Sequence, residues 1–207
     1  MPAWLRWGLG LFLFAAIIGV PWIHYRATYA HSKRFREVTP DRFYRCGQLT
    51  ADGFREVIDR YHIRTIINLQ NEAKDPLIPQ TYYDRQTKVH ESALCESLGV
   101  KYVLLEPDLL PRNQIPENHP VVIDEYLKIL EDPNAYPILI HCKAGLHRTG
   151  LLTAIYRMEY EGWSVGASVR ELRANGFGDS NCNLANDYVV QYLSIYKRRN
   201  EGKKEGD

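Results

Sequence analysis

The chain has 207 residues, 45% hydrophobic and 25% charged, the balance of a globular protein with room for one core. Its formal net charge of +1 excludes a nucleic-acid binder held by bulk charge, so any basic site must be local. The four cysteines, Cys46, Cys95, Cys142 and Cys182, contain no C-x₂₋₄-C unit and so no zinc pattern, and a chain this long does not need a disulfide framework.

The first element is Trp7–Ile23, WGLGLFLFAAIIGVPWI, a run without a charge. Its 17 residues span roughly 26 Å as a helix, against about 30 Å for a bilayer core. Trp4, Trp7 and Trp22 stand near its ends, where membrane interfaces favour aromatic rings. Arg6 precedes the run, while Arg26, Lys33, Arg34 and Arg36 come after it, so the positive-inside rule puts the C-terminal domain in the cytoplasm. A cleaved signal and a buried helix are the alternatives; Ala30 and Thr28 would hold the cleavage positions, but Arg26 interrupts the approach to that site. The expected organisation is a transmembrane anchor over 1–26, a juxtamembrane linker over 27–40, one folded domain over 41–200 and a flexible tail over 201–207.

Within the domain, Phe43–Arg45, Thr65–Leu69, Lys101–Leu105 and Pro137–His141 are short β-branched or apolar runs, the pattern of buried parallel strands. Helices are expected over Thr50–Tyr61, with Thr50 as cap, and over 82–98, 117–131, 149–162, 164–175 and 183–199, with Ser164 capping the fifth. Gly99, Gly162 and Gly176 sit where helices should stop. Tyr156, Tyr160, Tyr188, Tyr192 and Tyr196 recur at helical spacing and read as packing residues. Strands alternating with helices predict an α/β fold with a mostly parallel sheet of four or five strands flanked by helices, and ligands bind such sheets at the C-terminal strand ends.

One stretch carries chemistry. Pro137–Gly150 reads PILIHCKAGLHRTG: an apolar strand, a loop with a central glycine, and then a helix. That layout curls backbone amides toward one point and adds a helix N-terminus, which makes an anion site of Lys143, Ala144, Gly145, Leu146, His147 and Arg148. Cys142 stands at its entry, where amides, helix end and Arg148 all favour the nucleophilic thiolate. Arg148 lies six positions after Cys142, and its planar fork can hold two phosphate oxygens. Thr149 offers a hydroxyl to the sulfur when it leaves.

His141, Cys142, Gly145, Arg148, Thr149 and Gly150 match H-C-x-x-G-x-x-R-[ST]-G, and in this the sequence resembles the protein tyrosine and dual-specificity phosphatase superfamily. Phe43–Leu49, FYRCGQL, is similar to the Y-R-S-G-Q opening of atypical dual-specificity phosphatases from bacteria, plants and fungi, and Arg64–Leu69 resembles the strand that comes after it. The resemblance covers about residues 38–196 and makes the domain a phosphatase domain. It implies two-step hydrolysis through a phosphocysteine without metal or cofactor, and a structural role for His141. It also implies an Asp general acid upstream of the cysteine. Asp108, 34 residues before Cys142 in EPDLLPRNQIP, is that candidate, with Glu106 as its competitor.

Cys46 departs from the expected Ser and raises the idea of a resolving thiol for Cys142. Asn181 and Asp187, beside a polar bend, are placed near the site without a role. The expected substrates are phosphoproteins on Tyr, Ser or Thr, with phosphoinositides or inositol phosphates as the alternative. An inactive phosphate-binding module and a sulfurtransferase are the readings from other classes.

Overall fold

The structure, a computed structural model, describes residues 2–26, 32–106, 121–177 and 188–199. Helix α1, Ala3–Tyr25, comes first, with a π-helical stretch at Ala15–Gly19. It is 23 residues long, longer than the charge-free run, because Trp4, Leu5 and the residues around Arg6 continue the helix N-terminally. Its window of mean hydropathy 1.8 is not buried against the rest of the molecule.

The domain is built on a five-stranded sheet in the order β1 (Arg36–Thr39), β2 (Phe43–Gly47), β7 (Ile138–Cys142), β3 (Thr65–Asn68), β6 (Lys101–Leu104). The pairs β2·β7, β7·β3 and β3·β6 are parallel, and β1 joins β2 antiparallel at the edge. The four strands expected from sequence are all present. The fifth, β1, lies in the stretch read as linker. Of its four residues only Val38 is buried, so it carries no apolar run to mark it.

Two helical layers cover the sheet. Helix α2 (Ala51–Tyr61) and α3 (Glu91–Ser97) lie on one face, packing Phe54, Val57, Leu94 and Cys95 against Tyr44, Cys46, Ile66 and Leu139. On the other, α4 (Val121–Glu131), α5 (His147–Tyr160), α6 (Val165–Ala174) and α7 (Tyr188–Ile195) enclose Phe43, Ile67, Ile138, Ile140 and Cys142. Alternation along the strands sends neighbours to opposite layers, which is why β7 is wholly buried. Tyr156 stacks on Phe43 at 4.2 Å, Tyr192 is buried, and Tyr160, 37% exposed, stacks on Tyr156 at 5.3 Å, all as packing residues.

The caps at Thr50 and Ser164 form as expected: Thr50 Oγ1 accepts from Gly53 N–H at 3.2 Å and Ser164 Oγ from Ala167 N–H at 3.2 Å. Gly99, Gly162 and Gly176 end helices with φ of 68°, 71° and 94°. The helix expected over 82–98 is a correction. Residues 77–90 form a hairpin of β4 (Leu77–Pro79) and β5 (Lys88–His90), and only Glu91–Ser97 is helical. Thr81 Oγ1 takes the backbone N–H groups of Tyr83 and Asp84, and Asp84 Oδ1 those of Gln86 and Thr87. Side chains that capture nearby amides in this way compete with the helical ladder. The helix expected over 149–162 begins two residues earlier, at His147, on the anion loop itself. Asn181 and Asp187 lie outside the described residues.

Candidate active site

Strand β7, third of five in the sheet, ends at Cys142, and α5 begins at His147, so the loop between them opens at the C-terminal edge of the sheet. Three successive loop carbonyls are held from behind. Lys143 O accepts from Gln48 N–H at 3.2 Å, Ala144 O from Arg34 Nη1 at 3.0 Å and Gly145 O from Arg45 Nη2 at 2.9 Å. In a planar trans peptide the carbonyl of one residue and the amide of the next point in opposite directions. The amides of Ala144, Gly145 and Leu146 are therefore turned forward, and Gly145 N–H indeed donates to Cys142 Sγ at 3.3 Å. This is an anion nest whose floor is the sulfur.

Gly145 is required there. Its φ is +70°, and a Cβ would lie 2.6 Å from the backbone of Cys46 and Gly47 in β2. Arg45 is 4% exposed, and burial pushes its guanidinium down to about 10. It is a buried cation directly behind the loop.

Arg148 is positioned by the turn after β3. Its Nη1 donates to Leu69 O at 2.9 Å and to Glu72 Oε2 at 3.0 Å, and its Nη2 to Glu72 Oε1 at 2.5 Å. These three bonds fix the orientation of the fork. The same bond to Arg148 holds the Glu72 carboxyl down to about 2.

The remaining residues of the expected site are brought together. Lys143 is exposed at the rim, Ala144 and Leu146 are half-buried, and His147 packs edge-on to Phe177 at 5.5 Å. Burial, and then Arg148, lower the pKa of His147. Thr149 is fully buried in the first turn of α5, and its hydroxyl has no partner among the described residues, Cys142 Sγ included. His141 is fully buried, its Nε2 2.7 Å from Glu91 Oε1. Asp108 lies outside the described residues, while Glu106 stands exposed just after β6.

Cys46 pairs in register with His141 and packs in the layer of α2 and α3, while Cys142 packs in the other layer. A Cys46–Cys142 disulfide would have to cross the sheet, which the short reach between disulfide-linked Cβ atoms forbids without moving a strand.

Sequence reasoning missed Arg34, Glu72 and Glu91, and gave no role to Arg45 and Gln48. The last two stood in FYRCGQL, where the motif was the signal. Arg34, Glu72 and Glu91 lie far from the loop in sequence and carry no pattern.

The family model described as DSP-PTPase phosphatase fused to NAD+ kinase matches residues 24–186. The chain belongs to this DSP-PTPase family. That family is one of cysteine-based phosphatases of the atypical dual-specificity kind. A curated relative in Pseudomonas aeruginosa, dual specificity protein phosphatase TpbA, is 49% identical over 43 residues, which are 21% of this chain and 20% of that one. The chain thus matches about a fifth of the length of the first curated relatives. Inositol diphosphatase DSP3 of Arabidopsis thaliana is 29% identical over 135 residues, 65% of this chain and 59% of the relative. The solved catalytic core of Siw14, a protein of S. cerevisiae, superposes with a TM-score of 0.58 at 24% identity, over 81% of this chain and 86% of that one. The structure of TpbA gives 0.54 at 21% identity, over 78% and 88%. At these identities the two structures speak to the phosphatase fold.

Proposed function

We propose that this chain hydrolyses phosphate monoesters on phosphoproteins through a phosphocysteine, at a cytoplasmic membrane face to which α1 anchors it. The observation that carries the reading is the nest: the Gly145 amide donates to Cys142 Sγ, and bonds to the carbonyls of Lys143, Ala144 and Gly145 fix the loop from behind. Preorganised donors of this kind stabilise charge where it develops in the transition state. Cys142 Sγ attacks phosphorus, and the P–O ester bond breaks with its electron pair going to the leaving oxygen. Asp108 supplies that oxygen's proton. The nest amides and Arg148 hold the equatorial oxygens, and Lys143 and His147 line the rim. Water then gives a proton to the Asp108 carboxylate and attacks phosphorus, the S–P bond breaks with its electron pair going to sulfur, and inorganic phosphate leaves. Thr149, with an unpartnered buried hydroxyl, donates to the departing thiolate. The loop supplies the charge stabilisation that a metal provides in other phosphatases.

Inositol phosphates are the second reading, favoured by one observation. Lys33, Arg34 and Lys143 gather at the loop, and burial together with Arg34, Arg85 and Lys143 lowers the Lys33 pKa. A relative named an inositol diphosphatase is consistent with it. The anchor rests on α1, whose large side chains, Trp4 at 73% and Phe12 at 69% exposure, need an apolar surround.

The test is hydrolysis of an aryl phosphate by the full chain in detergent with EDTA present. Turnover that is lost in Cys142→Ser is expected. Turnover that survives in that variant would overturn the mechanism. A panel of phosphotyrosyl peptides and inositol polyphosphates then separates the two substrate readings.

A further inference from the structure

Glu91 and His141 are both fully buried, with Glu91 Oε1 2.7 Å from His141 Nε2. The other carboxylate oxygen accepts from Gln48 Nε2 at 2.8 Å, and Gln48 accepts in turn from Gln70. Both oxygens are thus engaged by groups from β7 and from the end of β2, while Phe54 of α2 packs edge-on to the imidazole at 5.4 Å. The helix bearing Glu91 is itself fixed: Asp75 accepts from Ser92 N–H and Oγ, and Glu91 N–H donates to Pro76 O at 3.1 Å.

A neutral amide could make similar hydrogen bonds. A fully buried carboxyl side chain is costly unless it is paired, so a Glu at this position needs a reason. The other groups facing the pair do not supply one. Burial, and then Glu91, raise the thiols of Cys46 and Cys95 and the phenol of Tyr102. Asp75 is turned to Ser92 and His90, and Arg45 donates to Gly145 O in the opposite layer. The imidazole is the remaining partner, and it belongs to the residue before Cys142. An imidazole facing a carboxylate holds its proton more firmly than one facing a neutral group, and positive charge near a thiol favours the thiolate.

We propose that Glu91 is a positioning residue of the phosphatase reaction, acting on Cys142 through His141 by fixing the ring and supplying its counter-charge. The inference rests on Cys142 being the nucleophile, so Cys142→Ser runs beside the wild type as the zero.

The experiment measures aryl phosphate turnover by the full chain in detergent across pH 5–9, together with the pH at which iodoacetamide labels Cys142, read by mass spectrometry. Glu91→Ala is expected to lower kcat about 10- to 100-fold with KM changed by less than about threefold, by analogy with losing the hydrogen-bond partner of a metal-bound His. Glu91→Gln keeps hydrogen bonding but loses the charge. It is expected to move the acid limb of kcat/KM and the labelling midpoint to higher pH and to regain most of the rate there. A merely structural role would not shift those midpoints. Superposable wild-type and Glu91→Gln profiles would overturn the proposal, as would a loss of kcat matched by loss of folded protein. Labelling needs no turnover. An inactive wild type would therefore count against the phosphatase reading, and the labelling shift would still judge this one.

Discussion

A methyl group on Gly145 would sit 2.6 Å from the carbonyl of Cys46 on a backbone already at φ +70°. Neither strain can relax without moving the loop off β2, because what it meets is main chain. Gly145→Ala should therefore lower kcat on the order of 10²-fold, the scale for losing a preorganised donor, and lower Tm as well; aryl phosphate kinetics and a thermal melt check both. Glu72 acts through charge instead. Its carboxyl is held down to about 2 by the bond to Arg148, so the pair stabilises the fold fully above the ordinary carboxylate range and loses that contribution as pH falls through about 2. The side chain is 43% exposed, which limits the pair to about 1 kcal/mol or less. The Tm difference between wild type and Glu72→Gln should be small and constant above pH ~5 and should fade on acidification toward pH 2, because the unfolded carboxyl titrates near its ordinary value. A gap that widens on acidification would contradict it.

At the scale of elements, the parity of β2 against β7 decides what Cys46 can do. Gly47 is in register with Cys142, so Cys46, one residue earlier, points into the layer of α2 and α3. Peroxide treatment followed by mass spectrometry should yield no Cys46–Cys142 linked peptide, and iodoacetamide at pH 8 should spare both Cys46 and Cys95 in the native protein. Burial pushes both thiols up, Cys95 to about 12, and denaturant should expose them. The sequence raised a redox role for Cys46 because it shows a thiol out of pattern but not the face on which it stands. It was more informative where local chemistry decides. The apolar runs marked β2, β3, β6 and β7, and Thr50, Ser164 and the helix-ending glycines marked their boundaries. The nest was legible because its residues are consecutive, Cys142 to Thr149. The hairpin at 77–90 was not, since Asp84 and Thr81 divert backbone amides that periodicity assigns to a helix. Arg34, Glu72 and Glu91 were out of reach for another reason. Each meets the site through pairing between segments 50 or more residues apart, and nothing in a single sequence records such contacts.

For the molecule as a whole, the segment that leaves the apolar helix is also part of the catalytic framework. Lys33 O accepts from Gly47 N–H at 2.7 Å, Arg34 holds Ala144 O, and Phe35 stacks on Tyr61 at 4.8 Å and on Tyr44 at 5.7 Å. Lys33 and Arg34 adopt φ of 45° and 60° to do this, a left-handed conformation costing roughly 1 kcal/mol or more for residues with a Cβ. The apolar helix and the buttress are therefore separable by truncation. Removing residues 2–26 should move the protein from the membrane fraction to the soluble one, because it deletes the exposed apolar helix and nothing that touches the nest. Its kcat on a soluble aryl phosphate should stay within about twofold of the full chain, since distant, independent parts contribute additively. Removing residues 2–35 should also release the protein, but with kcat lower by about 10-fold and a lower Tm. That cut leaves the part-buried Ala144 carbonyl without its guanidinium, and a lost hydrogen bond costs on the order of 1 kcal/mol. Equal activity in the two truncations would mean that the nest does not depend on Arg34. An inactive shorter deletion would mean that α1 supports the fold as well as the location.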